Sequence, residues 1–111
     1  MKKETMSLIS IKEVLLNPEN NPNTWYCLPS DSSKWTLETE GMFSLDSIDF
    51  ELGSDEYLPE QVKKGNWVEV LEGSDVEDII NNVNSYIENP TMEMLLDALV
   101  FYYKNDAFKY V

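Results

Sequence analysis

Trp35-Thr36-Leu37-Glu38-Thr39-Glu40-Gly41-Met42-Phe43-Ser44-Leu45-Asp46-Ser47-Ile48-Asp49-Phe50-Glu51-Leu52 is the run that decides how this chain folds. It alternates. Trp35, Leu37 and Thr39 fall on one side, and Thr36, Glu38 and Glu40 on the other, which is the two-residue period of a strand. Past Gly41, Phe43 and Leu45 point inward opposite Ser44 and Asp46. Ile48, Phe50 and Leu52 also point inward, opposite Ser47, Asp49 and Glu51. The inward set therefore changes parity, and a straight strand cannot do that. A bulge or tight turn is predicted at Asp46-Ser47.

Continued to Val62, the stretch holds eight carboxylates: Glu38, Glu40, Asp46, Asp49, Glu51, Asp55, Glu56 and Glu60. It holds no Lys and no Arg. Apolar residues are interleaved with the acids, so it differs from a disordered acidic tail. The pattern describes strands that bury one face and present carboxylates on the other. Tyr57, beside Asp55, Glu56 and Pro59, is expected to be exposed in a loop.

Residues 1–6 are expected to be a loose tail, with a single domain over residues 7–111. Ser10-Ile11-Lys12-Glu13 is a capping-box pattern for a short helix, with Ile9 and Val14 placed as a hydrophobic staple. Asn17-Pro18 ends that helix. Trp25 to Pro29 and Trp67 to Leu71 read as strands. Leu58 to Lys64 is expected to make one helical turn that starts at Pro59 and stops at Gly65. Ser74-Asp75-Val76-Glu77 is a second capping box, opening a helix that Asn89-Pro90 ends. Thr91 caps a last helix running to about Lys104, after which Phe108 tucks back on the core. The sum is an α+β fold: a small, mostly antiparallel sheet with an N-terminal helix and two C-terminal helices packed on one face.

Composition narrows the chemistry. The 111 residues carry 21 acids against 8 bases, a formal net charge of −13. Direct nucleic-acid binding needs clustered cations and is disfavoured. An anionic membrane surface is disfavoured for the same reason. With no His, the usual general base near neutral pH and the commonest metal ligand are missing. With no Arg, there is no bidentate anion clamp. The four glycines are isolated, so no phosphate-binding loop is present. Cys27 cannot form an internal disulfide and sits in an apolar strand, where a buried, inert thiol is expected. Asp46-Ser47-Ile48-Asp49 and Gly53-Ser54-Asp55-Glu56 only faintly resemble calcium loops. No catalytic residue, cofactor or metal is expected.

The acids themselves are the stronger signal. If Glu38 and Glu40 lie across strands from Asp49 and Glu51, each like-charge pair costs about 0.2–1 kcal/mol. A basic partner recovers that cost; a solvated, salt-screened face is the plain alternative. The candidate partner-binding set is Glu38, Glu40, Asp46, Asp49, Glu51, Asp55, Glu56 and Tyr57. Trp35 and Trp67 are expected in the core.

Three segments carry a family resemblance. They are Leu28 to Glu40, then Leu58-Pro59 ahead of Gly65, and the ending Tyr102-Tyr103-Lys104-Asn105-Asp106-Ala107-Phe108. Together they resemble small acidic bacterial proteins, some of which look like immunity proteins of contact-dependent growth-inhibition and related polymorphic-toxin systems. The resemblance implies a cytoplasmic protein that binds one cognate toxin domain, often a nuclease, and neutralises it without chemistry of its own. It assigns no functional residue. The alternative is an acidic nucleic-acid mimic or adaptor that regulates a host or phage DNA-binding protein. A carboxylate enzyme or calcium module is the third possibility. No membrane association is expected, and the oligomeric state is left open.

Overall fold

Trp25–Pro29 forms an inner strand with a partner on each side. In a computed structural model of the chain, residues 7–46, 50–54 and 56–105 are described. The elements are β1 (Ile9–Ser10), α1 (Ile11–Leu16), β2 (Trp25–Pro29), β3 (Glu40–Phe43), α2 (Glu60–Lys63), β4 (Trp67–Glu72), α3 (Gly73–Asn84) and α4 (Met92–Asn105). The four strands form one antiparallel sheet in the order β1-β3-β2-β4. The α+β expectation holds. The tail at 1–6, the parity break at Asp46-Ser47 and the return of Phe108 reach outside the described residues.

The register explains the two faces of the sheet. Tyr26 lies opposite Phe43 on β3 and Leu71 on β4, and Leu28 lies opposite Val68. These side chains join the core built by the helices. Cys27 lies opposite Met42 and Glu69, on the other face. Tyr26 is followed by a register shift in which Val70 is the extra residue of β4, a bulge. Ile11, Val14, Val76, Ile79, Leu96 and Leu99 supply the helical side of the core. Each such side chain contributes about 1.5–3 kcal/mol when fully buried. Helices α1, α3 and α4 pack on one another, and α2 packs on β4. Among the described residues, no helix is long and apolar enough to cross a membrane.

Several local expectations are met. Ser10 Oγ accepts from Glu13 N–H at 3.2 Å and caps α1. Thr91 Oγ1 accepts from Met94 N–H at 3.1 Å and caps α4. Gly65, at φ +83°, stops the chain after α2. Trp35 is buried, donates its indole N–H to the Pro29 carbonyl at 2.8 Å, and packs its ring 5.2 Å from Tyr103.

Others are corrected. The strand expected over Lys34 to Glu40 does not form. Ser32–Lys34 is a 3-10 turn, and Thr36 to Thr39 closes a tight turn with Thr39 N–H donating to the Thr36 carbonyl at 3.1 Å. The physical reason is local. Thr39 Oγ1 accepts from Thr36 N–H at 2.8 Å, which offers the backbone an alternative to a ladder. The turn also serves α1, whose first amides, Ile11 and Lys12, donate to the carbonyls of Thr39 and Leu37 at 2.9 and 3.0 Å.

A strand through Phe50 and Leu52 is absent as well. Leu52 is fully exposed in a turn, Phe50 is half-buried, and Ile48 lies outside the described residues. Leu8 precedes α1 and is exposed. Trp67 is half-buried rather than core. Helix α3 is capped by Glu72, two residues before the expected cap at Ser74. Its first amides, Gly73 and Ser74, donate to the Thr24 carbonyl and Asn23 Oδ1, and Asp75 Oδ2 accepts from Glu72 N–H at 2.9 Å. It ends at Asn84, where Ser85 Oγ donates to the Asn82 carbonyl at 2.6 Å, ahead of Asn89-Pro90.

Gly41 is the tightest point of the sheet. A Cβ there would run into the Cys27 carbonyl oxygen and would lie 2.7 Å from Leu28 Cδ2. Gly41→Ala is expected to destabilise the fold by about 1–3 kcal/mol through overpacking. Thermal melting followed by circular dichroism should show a lowered Tm, roughly 5–20 °C at this chain length. An unchanged Tm would mean that β2 and β3 do not approach as closely as described.

Candidate functional site

The described part of the acidic stretch, residues 44–46, 50–54 and 56–59, is loop rather than sheet face and lies between the end of β3 and the start of α2. The neck is tied where Leu45 N–H donates to the Tyr57 carbonyl at 2.8 Å. Inside it, Phe50 and Tyr57 bring their rings within 6.5 Å, Ser54 N–H donates to the Glu51 carbonyl at 2.9 Å, and Ser54 Oγ accepts from Glu56 N–H at 3.2 Å. Pro59 is fully buried at its base. A long loop closed at its neck and packed by its own side chains is a common carrier of function.

The candidate residues separate into two groups. Glu38 and Glu40 are exposed beside the N-terminus of α1: Glu38 in the Thr36 to Thr39 turn, Glu40 opposite Ser10 of β1. Asp46, Glu51 and Glu56 are exposed on the loop at the other end of β3. At about 3.3 Å per residue, β3 alone separates Glu40 from Phe43 by roughly 10 Å, and Asp46 lies further along. Asp49 and Asp55 lie outside the described residues. Tyr57, expected to be exposed, is half-buried because its ring packs toward Phe50 and its carbonyl closes the neck.

Glu51 lies outside the sheet, so the expected cross-strand crowding of Glu38 and Glu40 against it does not form, and Asp49 lies outside the described residues. Among the described residues, the ion pairs are Lys34–Asp31 at 3.9 Å and Lys63–Glu60 at 3.2 Å, both outside the candidate set.

Sequence reasoning missed a cavity of about 120 Å³ beside the neck, walled by Thr24, Trp25, Ser44, Asp46, Tyr57 and Glu72. Four separate segments meet there, so no local pattern announces it. Trp25 is 38% exposed, although it begins the central strand. Ser44 Oγ accepts from Trp25 N–H at 3.2 Å and fixes the wall. Thr24 Oγ1 is buried and has no hydrogen-bond partner. A buried polar group left so costs about 1–3 kcal/mol. Its signal in the sequence is nil, because an ordinary Thr beside a strand predicts nothing of the kind.

The groups best placed for covalent chemistry are quiet. Cys27 is fully buried, and burial pushes its thiol up to about 12, with Glu69 opposite adding to the effect. Burial also pushes the Tyr26 phenol above its usual value, offset in part by a bond from the Gly41 backbone and reinforced by Glu40 and Glu13. Its hydroxyl donates to the Ile9 carbonyl at 2.7 Å. At the other end of the molecule the Ser33 hydroxyl and amide hold Asp31 below the usual carboxylate range, aided by Lys34 and Lys104. Among the described residues, no three or more of Cys, Asp and Glu are grouped to hold a metal ion.

The thiol and the phenol set an alkaline limit. Both are neutral in the fold and ionise at ordinary values, about 8.5 and 10, once unfolded. Their folded values are raised, so stability is fully present below about pH 8.5 and is lost as pH rises toward 12. Chemical denaturation is expected to give a constant midpoint from pH 7 to 8.5 and a falling one above it. Thiol labelling of Cys27 at pH 8 should proceed at the rate of unfolding; rapid stoichiometric labelling of the native protein would contradict its burial.

Comparison with known proteins gives a family and no function. A family model described as a domain of unknown function (DUF7716) matches residues 8–110, nearly the whole chain, and the chain belongs to that family. No curated protein and no solved structure matches.

Proposed function

We propose that this member of the DUF7716 family is a binding protein that neutralises a basic bacterial toxin domain, in the manner of an immunity protein, through its acidic loop. The observation that carries it is the loop at residues 44–59. It is tied at the neck, displays Asp46, Glu51 and Glu56, and offers no Lys or Arg. A loop that concentrates like charge on a fixed frame gains nothing for its own fold. It does gain fast encounter with a positively charged cleft. Leu52, fully exposed among these carboxylates, supplies an apolar contact at the centre of the same surface.

The chemistry fits inhibition by occupancy. A nuclease-type toxin attracts phosphate with basic residues. Carboxylates held at the surface of a loop compete for the same groups, while the neutral thiol and phenol stay out of reach in the core. The protein acts without catalysis, metal or cofactor, in the cytoplasm where such a toxin arrives. Glu38 and Glu40, at the far end of β3, form a second and weaker contact group.

Co-expression with the product of the neighbouring upstream gene tests the proposal. Growth rescue and co-purification are expected from the native chain. Replacing Asp46, Glu51 and Glu56 together by Lys should slow association about tenfold or more and flatten its salt dependence. Replacing Glu93 and Asp97 of α4 by Lys is the control and should change the rate less than about threefold. Equal loss from both sets would reduce the loop to a contributor of net charge. Full rescue by the loop variant would refute the loop as the docking face.

A further inference from the structure

The two edges of the sheet differ. β1 is two residues long and runs straight into α1, so it offers almost no edge. β4 runs for six residues at the opposite edge. Its ladder with β2 shows which of its backbone groups are used. At one end Ser30 N–H donates to the Asn66 carbonyl at 3.2 Å, and at the other Gly73 N–H donates to the Thr24 carbonyl at 3.3 Å. Backbone groups alternate in direction along an antiparallel strand. Counting by two from Asn66 turns Val68 toward β2, and counting back from Gly73 turns Leu71 the same way, with the extra residue Val70 between them. Trp67 and Glu69 therefore aim their N–H and C=O groups away from β2. Among the described residues, no backbone bond from another segment reaches those groups.

The same strand is guarded against its own kind. Glu69 is exposed on the face away from the core, opposite Cys27, and Glu72 ends the strand. Two copies paired through β4 would gather these carboxylates on one joined sheet and bring together two chains of net charge −13. A strand carrying Lys or Arg meets the opposite situation. One such side chain pairs with Glu69 across the new ladder. Another, two places along, lays its stem on the half-buried indole of Trp67. At the far end of β4, Glu72 shares a cavity wall with Asp46 and Tyr57 at the neck of the acidic loop, so edge and loop are continuous.

We propose that the outer edge of β4, at Trp67 and Glu69, receives an extended basic segment of a partner protein as a fifth strand of the sheet. The edge stands on the register of β4; the assignment of the incoming strand to a toxin rests on the function proposed above. Main-chain bonds at Trp67 and Glu69 hold the segment, and its alternate Lys or Arg side chains select it.

Titration of the full chain with the acetylated and amidated peptide Lys-Thr-Lys-Val-Lys-Thr-Lys, followed by amide NMR, tests the edge without any partner. Saturable downfield shifts are expected at the Trp67 and Glu69 amides, with smaller shifts at Val68 and Leu71, which already face β2. The same peptide N-methylated at every residue keeps its charge and loses its donors, and should bind about tenfold more weakly or worse. Glu69→Pro removes one outward N–H at an edge position, where proline is tolerated, and should weaken binding about tenfold or more with the circular dichroism spectrum unchanged. Glu69→Lys keeps the backbone and should weaken binding about two- to fivefold. Binding that fails to saturate, that survives N-methylation, or that shifts only residues 50–56 would overturn the edge. Shifts at Trp67 and Glu69 that follow protein concentration alone, with a dimer in sedimentation equilibrium, would overturn the basic segment in favour of a second copy. Peptide binding without rescue in the co-expression test would keep the edge and remove the toxin.

Discussion

Burial of Tyr26 is the constraint on which the sheet depends. Its ring sits 4.7 Å from Phe43 on β3, it pairs in register with Leu71 on β4, and its hydroxyl reaches the Ile9 carbonyl on β1. One side chain therefore joins all four strands. Burying a phenol is acceptable only when the hydroxyl is bonded, and the Ile9 carbonyl is what permits it. Close approach of Gly41 to the Cys27 carbonyl sets β3 beside β2 at the same level. Beyond Phe43 the described chain leaves the sheet, and Asp46, Glu51 and Glu56 leave with it.

The charge then has a definite place. Carboxylates on the face of a sheet would have been spaced by the pleat and fixed by the ladder. Placed on a loop, they are held instead by the neck at Leu45 and Tyr57, the Phe50–Tyr57 contact and the serine-based turn at Ser54. The frame beneath is neutral and protected, since burial keeps the Cys27 thiol and Tyr26 phenol protonated through the physiological range. Asp46, Glu51 and Glu56 are exposed, whereas a Cβ at Gly41 of β3 would meet Cys27 and Leu28 of β2.

Much of this was legible from residue patterns, and the failures share a cause. Ser10 and Thr91 announced their helices because caps are local hydrogen bonds. Trp25 to Pro29 announced a strand because apolar density at the centre of a sheet overrides alternation. The alternation from Trp35 to Glu40 misled, because Thr36 and Thr39 bond their own backbone and the turn is recruited to cap α1. Alternation at Phe50 and Leu52 misled because the chain turns there, with Ser54 N–H donating to the Glu51 carbonyl. Glu38, Glu40, Asp46, Glu51 and Glu56 are exposed, but their grouping depended on where β3 ended. The cavity was illegible, since Thr24, Ser44, Tyr57 and Glu72 meet only through the fold.

Hydrogen exchange of the chain, alone and in complex with the co-purified product of the upstream gene, is the most direct measurement of where a partner sits. A docking loop requires protection of amides at residues 44–59, extending to Thr24 and Trp25 and leaving the exposed side of α4 unchanged. Protection confined to α3 and α4, with the loop exchanging as in the free protein, would contradict it.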